Sequence, residues 1–446
     1  MMTKPVTFNR LLAILNRTFS DLPDHRKGHN TLYALRDASM AAFSVFFMQS
    51  PSFLAHQEVM QQTKGHSNAA SLFGLERIPS DPHIRNLLDP LTPDTLSAPF
   101  WDVFEVLQEA GELAAYRSFA GNWLVSLDGT QYFFSTKIHC QRCTVTVHHD
   151  TEYYTHTAIT PVLVAPGESR VIALEPEFIQ PQDGHEKQDC ERNAGKRWLA
   201  RQAQHLVGRR VTLLGDDLYC NQPFCEAVLE QRLNFIFTCK PDSHTALYEE
   251  VELLERLGAV SQLTQRHWNG KAHEVWLYRY VNDVPLRADP AALKVNWCEL
   301  TIVQADSGEQ LYHNAFATQH RLTDETVAPI VAAGRARWKI ENENNNVLKN
   351  QGYHLEHNFG HGEQYLSMIL VLLNLLAFLL HTVLDLCDAV YHRLRDALRV
   401  RKTFFNDLKA LTRYMLFESW DQMLNFMFVQ LELDRPPTAR RGRRAR

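Results

Sequence analysis

Asp128 ends the apolar run WLVSL and stands before Gly129, and Asp216 occupies the same kind of position after VTLLG. Both carboxylates are expected to emerge where a strand gives way to a turn, and acids at the tips of adjacent strands can face one pocket, the place where open α/β sheets hold ligands. Asp216 is followed by Asp217, and position alone leaves either as the second acid. Glu341 comes from a helical pattern, RARWKIENENNN, with Arg337 one turn earlier on the same face. Glu343 is two positions on and so points roughly 200° around that helix. Three such carboxylates suit Mg2+ (or Mn2+), a hard ion that takes oxygen ligands while keeping waters and substrate phosphates. Two of these ions about 4 Å apart activate an attacking water or 3′-hydroxyl and stabilise the leaving oxygen of a phosphodiester.

The elements that must position these acids change character along the chain. Residues 1–117 alternate helical apolar patterns with short breakers and read as an all-helical amino-terminal domain. Within it, Ser80 or Asp81 is the candidate N-cap of one helix, with Pro82 at its first position, and a second start falls near Thr92 to Asp94. That pair suits DNA reading or plain helix packing. From residue 118 to 240, β-branched runs such as VTVHHDTEYYTHTAITPVLVA and RVIALEPEFI look like successive strands of one sheet, interleaved with helices. The fold class is therefore α/β, a mixed sheet flanked by helices. Residues 241–324 are expected to form a β-rich insertion, 325–400 the second part of the core, and 401–446 a helical segment with a basic tail.

The 446 residues are 45% hydrophobic and 22% charged, enough for a sizeable core and two to four structural units. A formal net charge of −5 excludes a uniformly basic nucleic-acid coat, so DNA contact must come from local clusters of Lys and Arg. The amino terminus lacks the apolar stretch and cleavage site of a signal peptide, and eight scattered cysteines do not make a disulfide framework, so the expected compartment is the cytoplasm. Leu366 to Leu384 is nearly long enough to span a bilayer, but Ser367, Asn374 and His381 interrupt it, and a buried core helix is the expectation.

The sequence resembles the DDE transposases of bacterial insertion sequences, particularly those with a β-rich insertion before the catalytic glutamate. The resemblance rests on SLDGT around Asp128, LLGDDLY around Asp216 and RARWKIEN around Glu341, and covers residues 120–385. It implies a ribonuclease H-like core in which Asp128, Asp216 and Glu341 hold the catalytic metals. It also favours Asp216 over Asp217, because Tyr219 follows three residues later. In the family an arginine four residues before the glutamate helps to hold DNA phosphate, which Arg337 matches. The family's tyrosine three residues before that arginine is Gly334 here, and its lysine seven residues after the glutamate is Leu348, with Lys349 one place late. The implied partners are double-stranded DNA, as transposon ends and target, and a second copy of the chain in a homodimer. A nuclease of the same fold and a non-catalytic DNA-binding descendant are the alternatives.

Cys140 and Cys143 form a Cys-x-x-Cys pair, with His148 and His156 close behind, a spacing that permits tetrahedral zinc. Alternation along paired strands weighs against convergence of all four and favours packing roles. Trp268, Trp276 and Trp297 lie in the β-rich stretch, where related transposases can stack an aromatic on an extruded base, and core packing is the competing role. Residues 435–446 carry six arginines and are expected to be a disordered tail drawn to phosphate.

Overall fold

The computed structural model describes residues 5–24, 26, 32–61, 67–181 and 189–434, so the arginine-rich tail lies outside the described residues. The chain divides into two compact units, each discontinuous in sequence. Unit 1 comprises Met1–Leu113, Gln131–His156 and Asn346–Arg446, and unit 2 comprises Ala114–Thr130 and Thr157–Asn345.

Thirteen strands are found among the described residues: β1 (Trp123–Ser126), β2 (Gly129–Ser135), β3 (Thr144–His148), β4 (Thr151–Ile159), β5 (Val162–Ala165), β6 (Glu168–Ala173), β7 (Glu177–Ile179), β8 (Val211–Gly215), β9 (Asn234–Thr238), β10 (Ser261–Trp268), β11 (His273–Pro285), β12 (Lys294–Gln304) and β13 (Gln310–Thr318). Nine of them form the sheet of unit 2, in the order β10-β11-β12-β13-β9-β8-β1-β5-β6. β8 runs parallel to β1, from Trp123↔Val211 to Ser126↔Leu214, and β9 runs parallel to β8. Every other neighbouring pair in this sheet is antiparallel. The protein is thus mixed α/β, a mixed sheet flanked by helices. β1 and β8 are buried at every residue, as continuous apolar runs must be in the interior of a partly parallel sheet.

Two helices follow and precede β8. Glu191–Leu206 buries Trp198 and Leu199, with Trp198 Nε1 donating to the Glu175 carbonyl at 2.8 Å. Gln222–Glu230 starts at Asn221, whose side chain accepts from Phe224 N at 3.2 Å, with Pro223 in the first turn. The β-rich stretch expected as an insertion folds as β10 to β13, which continue the same sheet through the β13–β9 pairing.

One expectation of the sequence reading is corrected here. The β-branched runs after residue 122 do not form successive strands of one sheet: β2, β4 and β3 are neighbours, in that order, in a second sheet, whereas β5 and β6 join β1. The reason lies in the residues. β3 and the first half of β4 have no buried residue, and Pro161, which cannot donate to a ladder, separates β4 from the fully buried VLVA of β5.

In unit 1, the helix Leu366–Cys387 is long and apolar enough to cross a membrane, and its apolar window is entirely buried. It packs on Leu35–Phe47 and touches the helices Phe8–Ser20, Asp81–Leu88 and Ala98–Ala110. Two of its polar residues find partners inside the protein: Asn374 Nδ2 donates to the Tyr353 carbonyl at 2.9 Å, and the Tyr353 hydroxyl meets His381 Nδ1 at 2.7 Å, while Asn374 Oδ1 and His381 Nε2 are buried without a hydrogen-bond partner among the described residues. The helix Asp81–Leu88 begins after Ser80, and a short 3-10 turn, Pro93–Leu96, separates it from Ala98–Ala110.

The long helix is capped from a distant part of the chain. Asp89 accepts backbone N–H bonds from Glu363, Gln364, Tyr365 and Leu366 at 3.0–3.1 Å. These are the donors of the turn that leads into the helix and of its first residue, Leu366, and a carboxylate there also meets the positive end of the helix dipole. Gly362 (φ +72°) allows the approach, since a Cβ there would sit 2.3 Å from Asp89 Oδ1. Asp89→Ala is expected to cost about 2 kcal/mol in denaturant unfolding, and a loss below about 0.5 kcal/mol would contradict this account.

Candidate active site

All three carboxylates singled out in the sequence lie in unit 2. Asp128 follows β1 after Leu127, and its carbonyl accepts from Thr160 N at 3.1 Å. Its side chain is held too: Asn345 Nδ2 donates to Asp128 Oδ2 at 3.1 Å, and Thr160 Oγ1 donates to Asn345 Oδ1 at 2.8 Å. Asn344 Nδ2 donates to Thr160 Oγ1 at 3.1 Å, closing a buried polar network that fixes one orientation of the carboxylate.

Asp216 follows β8 and Asp217 comes next, and the two aspartates have different partners. Asp216 Oδ1 accepts from Leu218 N at 3.0 Å, an Asx-type turn. Asp217 Oδ1 accepts from Lys240 N at 2.7 Å and lies 3.4 Å from His244 Nε2. Of the two, Asp216 is the one whose charge acts on Asp128 and Glu191.

Glu341 does not sit on the regular α-helix that the sequence pattern suggests. Val327–Arg335 is α-helical, Ala336–Trp338 is a 3-10 turn, and Ile340–Asn345 is a π-helix. In this segment Asn344 and Asn345 turn their side chains to Thr160 and Asp128 rather than to the local backbone. π segments are frequent where a helix re-aims side chains at a functional site. Arg337 Nη1 bonds Glu341 Oε1 at 2.7 Å, with the arginine side chain only 11% exposed and the glutamate 40%. Ser126 Oγ in β1 donates to the Arg337 carbonyl at 3.3 Å, tying this turn to the central strand.

Glu191, a fourth carboxylate, was not visible as a site residue in the sequence. It opens the helix Glu191–Leu206, where an acid reads as an ordinary partner of the helix dipole. In the structure its Oε1 accepts from Gly129 N at 3.0 Å and from the Tyr219 hydroxyl at 2.8 Å, linking the turns after β1 and β8. Asn345 was missed as well, its only signal being the asparagine run itself.

Electrostatics follow from this crowding. Burial, and then the negative charges of Glu191, Glu341 and Asp216, push the Asp128 carboxyl up to about 7, against an opposing pull from Arg337. Burial also raises Glu191, with Asp216 adding to the shift and the bonds from Tyr219 and Gly129 N limiting it. Among the described residues, the groups of three or more ligand atoms gathered within 4.8 Å consist of cysteine and histidine, so no three of these carboxylates meet that closely. Gly129 has no room for a side chain: a Cβ would lie 2.4 Å from Glu191 Oε2. Gly129→Ala is expected to lower stability by about 1–3 kcal/mol in urea unfolding, since Glu191 must release a partner to make space.

Lys349 belongs to unit 1, where its Nζ pairs with Glu356 at 2.8 Å. Trp297 is fully buried, Trp276 lies under the Arg335 guanidinium at 4.9 Å, and Trp268 on the edge strand β10 is 59% exposed.

Unit 1 contains the second cluster. Cys140, Cys143 and His156 come together as the spacing allowed, but His148 does not join them, and His361 takes the fourth place. His148 closes β3, five residues beyond Cys143 and so about 16 Å away along the strand, beside a turn formed by His149 (φ 48°) and Asp150 (φ 60°). The register Thr144↔Thr155 instead returns His156 to the level of Cys143. A further group, Cys220, Cys239 and His244 in unit 2, offers three ligand atoms.

No protein-family model matches this chain, and no curated protein matches it significantly.

Proposed function

We propose that this protein is a metal-dependent DNA transposase of the DDE class with a ribonuclease H-like core. It cuts phosphodiesters at the ends of its own mobile element and transfers the freed 3′-hydroxyls into target DNA. The observation that carries this reading is the arrangement of Asp128 and Asp216 directly after the parallel central strands β1 and β8, with Glu341 on a π turn whose charge acts on Asp128. The core order β6-β5-β1-β8-β9, three antiparallel strands followed by two parallel ones, supports the ribonuclease H-like assignment.

A divalent cation fits the residues present. Four carboxylates, Asp128, Asp216, Glu341 and Glu191, share this region with the guanidinium of Arg337, and burial together with the negative charges of Glu191, Glu341 and Asp216 raises Asp128. Asp128, Asp216 and Glu341 would hold Mg2+ or Mn2+, which when bound activates the attacking oxygen and stabilises the leaving one. Asn345 fixes the Asp128 carboxylate, Glu191 holds the Gly129 turn and Tyr219 in register, and Arg337 orients Glu341 while offering positive charge to a DNA phosphate. Two DNA ends must be held at once, so the working form is a homodimer, cytoplasmic and associated with the nucleoid when bound.

The test uses purified protein, Mn2+ or Mg2+, and DNA carrying the terminal sequences that flank the coding region. Joined strand-transfer products support the proposal. Cleavage without joining assigns a nuclease of the same fold, and metal-independent binding without cleavage assigns a non-catalytic DNA-binding descendant.

A further inference from the structure

The Cys and His cluster of unit 1 plays no part in the chemistry just described. We propose that Cys140, Cys143, His156 and His361 hold one structural zinc ion. With zinc–sulfur and zinc–nitrogen bonds of about 2.3 and 2.05 Å, a tetrahedral site requires edges of about 3.8 Å between sulfurs, 3.6 Å between sulfur and nitrogen, and 3.3 Å between nitrogens. The corresponding distances are 4.0 Å for Cys140 Sγ to Cys143 Sγ. They are 3.7 and 3.4 Å from His156 Nε2 to the two sulfurs, 3.5 Å from His361 Nε2 to Cys143 Sγ, and 3.1 Å between the two Nε2 atoms.

The tautomers point the same way. His361 Nδ1 lies 2.9 Å from the Gly362 carbonyl, which can only accept, so Nδ1 carries the proton and Nε2 turns a lone pair toward the cluster. A ring held by a backbone carbonyl in this manner is the usual outer support of a metal-bound histidine. The His156 ring is stacked on Tyr132 at 5.6 Å, and Phe133 packs against both imidazoles, so neither ring is free to turn away. Two facing imidazole nitrogens at 3.1 Å need a proton or a cation between them.

The charges balance as well. Cys140 Sγ accepts from Arg142 N and Cys143 Sγ from Cys140 N, each at 3.4 Å, and such backbone donors favour thiolates. Zinc binding displaces two thiol protons to solvent and leaves a neutral buried centre of two thiolates, two neutral imidazoles and Zn2+. Soft thiolates with imidazole in a tetrahedron select zinc over the hard ions, and four protein ligands leave no open position, so the site is structural. It pins the turn between β2 and β3, and strand β4, to the segment that leads into the helix Leu366–Cys387.

Elemental analysis of the full-length protein grown with zinc is expected to find one zinc per chain. Cys143→Ser and His361→Ala are each expected to lower the content by about fivefold or more, while His148→Ala leaves it unchanged. If those variants do not fold, Co2+ is exchanged into the wild type and into Cys239→Ser: a tetrahedral centre with two thiolates gives intense visible bands and a sulfur-to-cobalt charge-transfer band, expected to be the same in both proteins. The proposal is overturned by a metal-free wild type whose Cys140 and Cys143 react with a thiol reagent equally fast with and without Zn2+. An octahedral Co2+ spectrum overturns it too, as does zinc that survives His361→Ala and disappears in Cys239→Ser.

Discussion

Asp128→Asn, Asp216→Asn and Glu341→Gln are each expected to lower strand cleavage at the element's ends by on the order of 10³-fold, with DNA binding preserved. Each withdraws one anionic oxygen from the proposed metal centre, and that stabilisation amounts to several kcal/mol in the transition state, about 1.4 kcal/mol being worth a factor of ten. Glu343→Gln serves as the control and is expected to remain within about threefold of wild type, because the charges that act most on Asp128 are those of Glu191, Glu341, Arg337 and Asp216. The double variant Asp128→Asn/Glu341→Gln is expected to fall no further than either single change, as groups that act together lose their function together. A residual rate near wild type in any of the three single variants would remove the proposed engine.

The second large effect concerns pH and carries an unusual sign. In the unfolded chain Asp128 titrates at its ordinary value of 3.8, and in the folded protein at about 7. Between those values the folded state binds a proton that the unfolded state has released, so stability falls as pH rises through this window. The metal-free protein should therefore lose on the order of 2–4 kcal/mol between about pH 4 and pH 7 through this group. Asp128→Asn removes that slope and makes the metal-free protein more stable than wild type at about pH 8, although inactive. A divalent cation competes with the same proton, so the apparent Mn2+ affinity of the wild type should rise up to about tenfold per unit below pH 7 and level off above it. Thermal unfolding of both proteins across this range checks the first claim and Mn2+ titration the second; a constant gap in Tm between them at all pH values contradicts the account.

The places of Asp128 and Asp216 were readable in the sequence because an interior strand announces itself: WLVSL and VTLLG are short, wholly apolar and followed by turn residues. Their pairing partners were not readable. Nothing in local periodicity states that β5 rather than β4 lies beside β1, and the runs looked alike until exposure distinguished the polar hairpin β3–β4 from the buried VLVA. Glu191, Asn345 and His361 were invisible for a related reason. Each earns its place through a neighbour far away in sequence, Gly129, Asp128 and Cys143 respectively, whereas sequence spacing reports only which residues share a face of one element. The choice of His148 shows the error in miniature: closeness in number to Cys143 counted for less than strand register, which carried His156 back and left His148 at the exposed tip.

The discontinuity of unit 1 has a bearing on synthesis. Unit 2 has all of its residues once Asn345 has left the ribosome, so its sheet is free to form while translation continues. The amino-terminal helices, made first, must wait: the apolar surface of Leu35–Phe47 is covered by Leu366–Cys387, and the carboxylate of Asp89 has no helix start to cap until more than 270 further residues have been added. The earliest part of the nascent chain is thus the last to be buried, which makes it the segment most in need of chaperone protection.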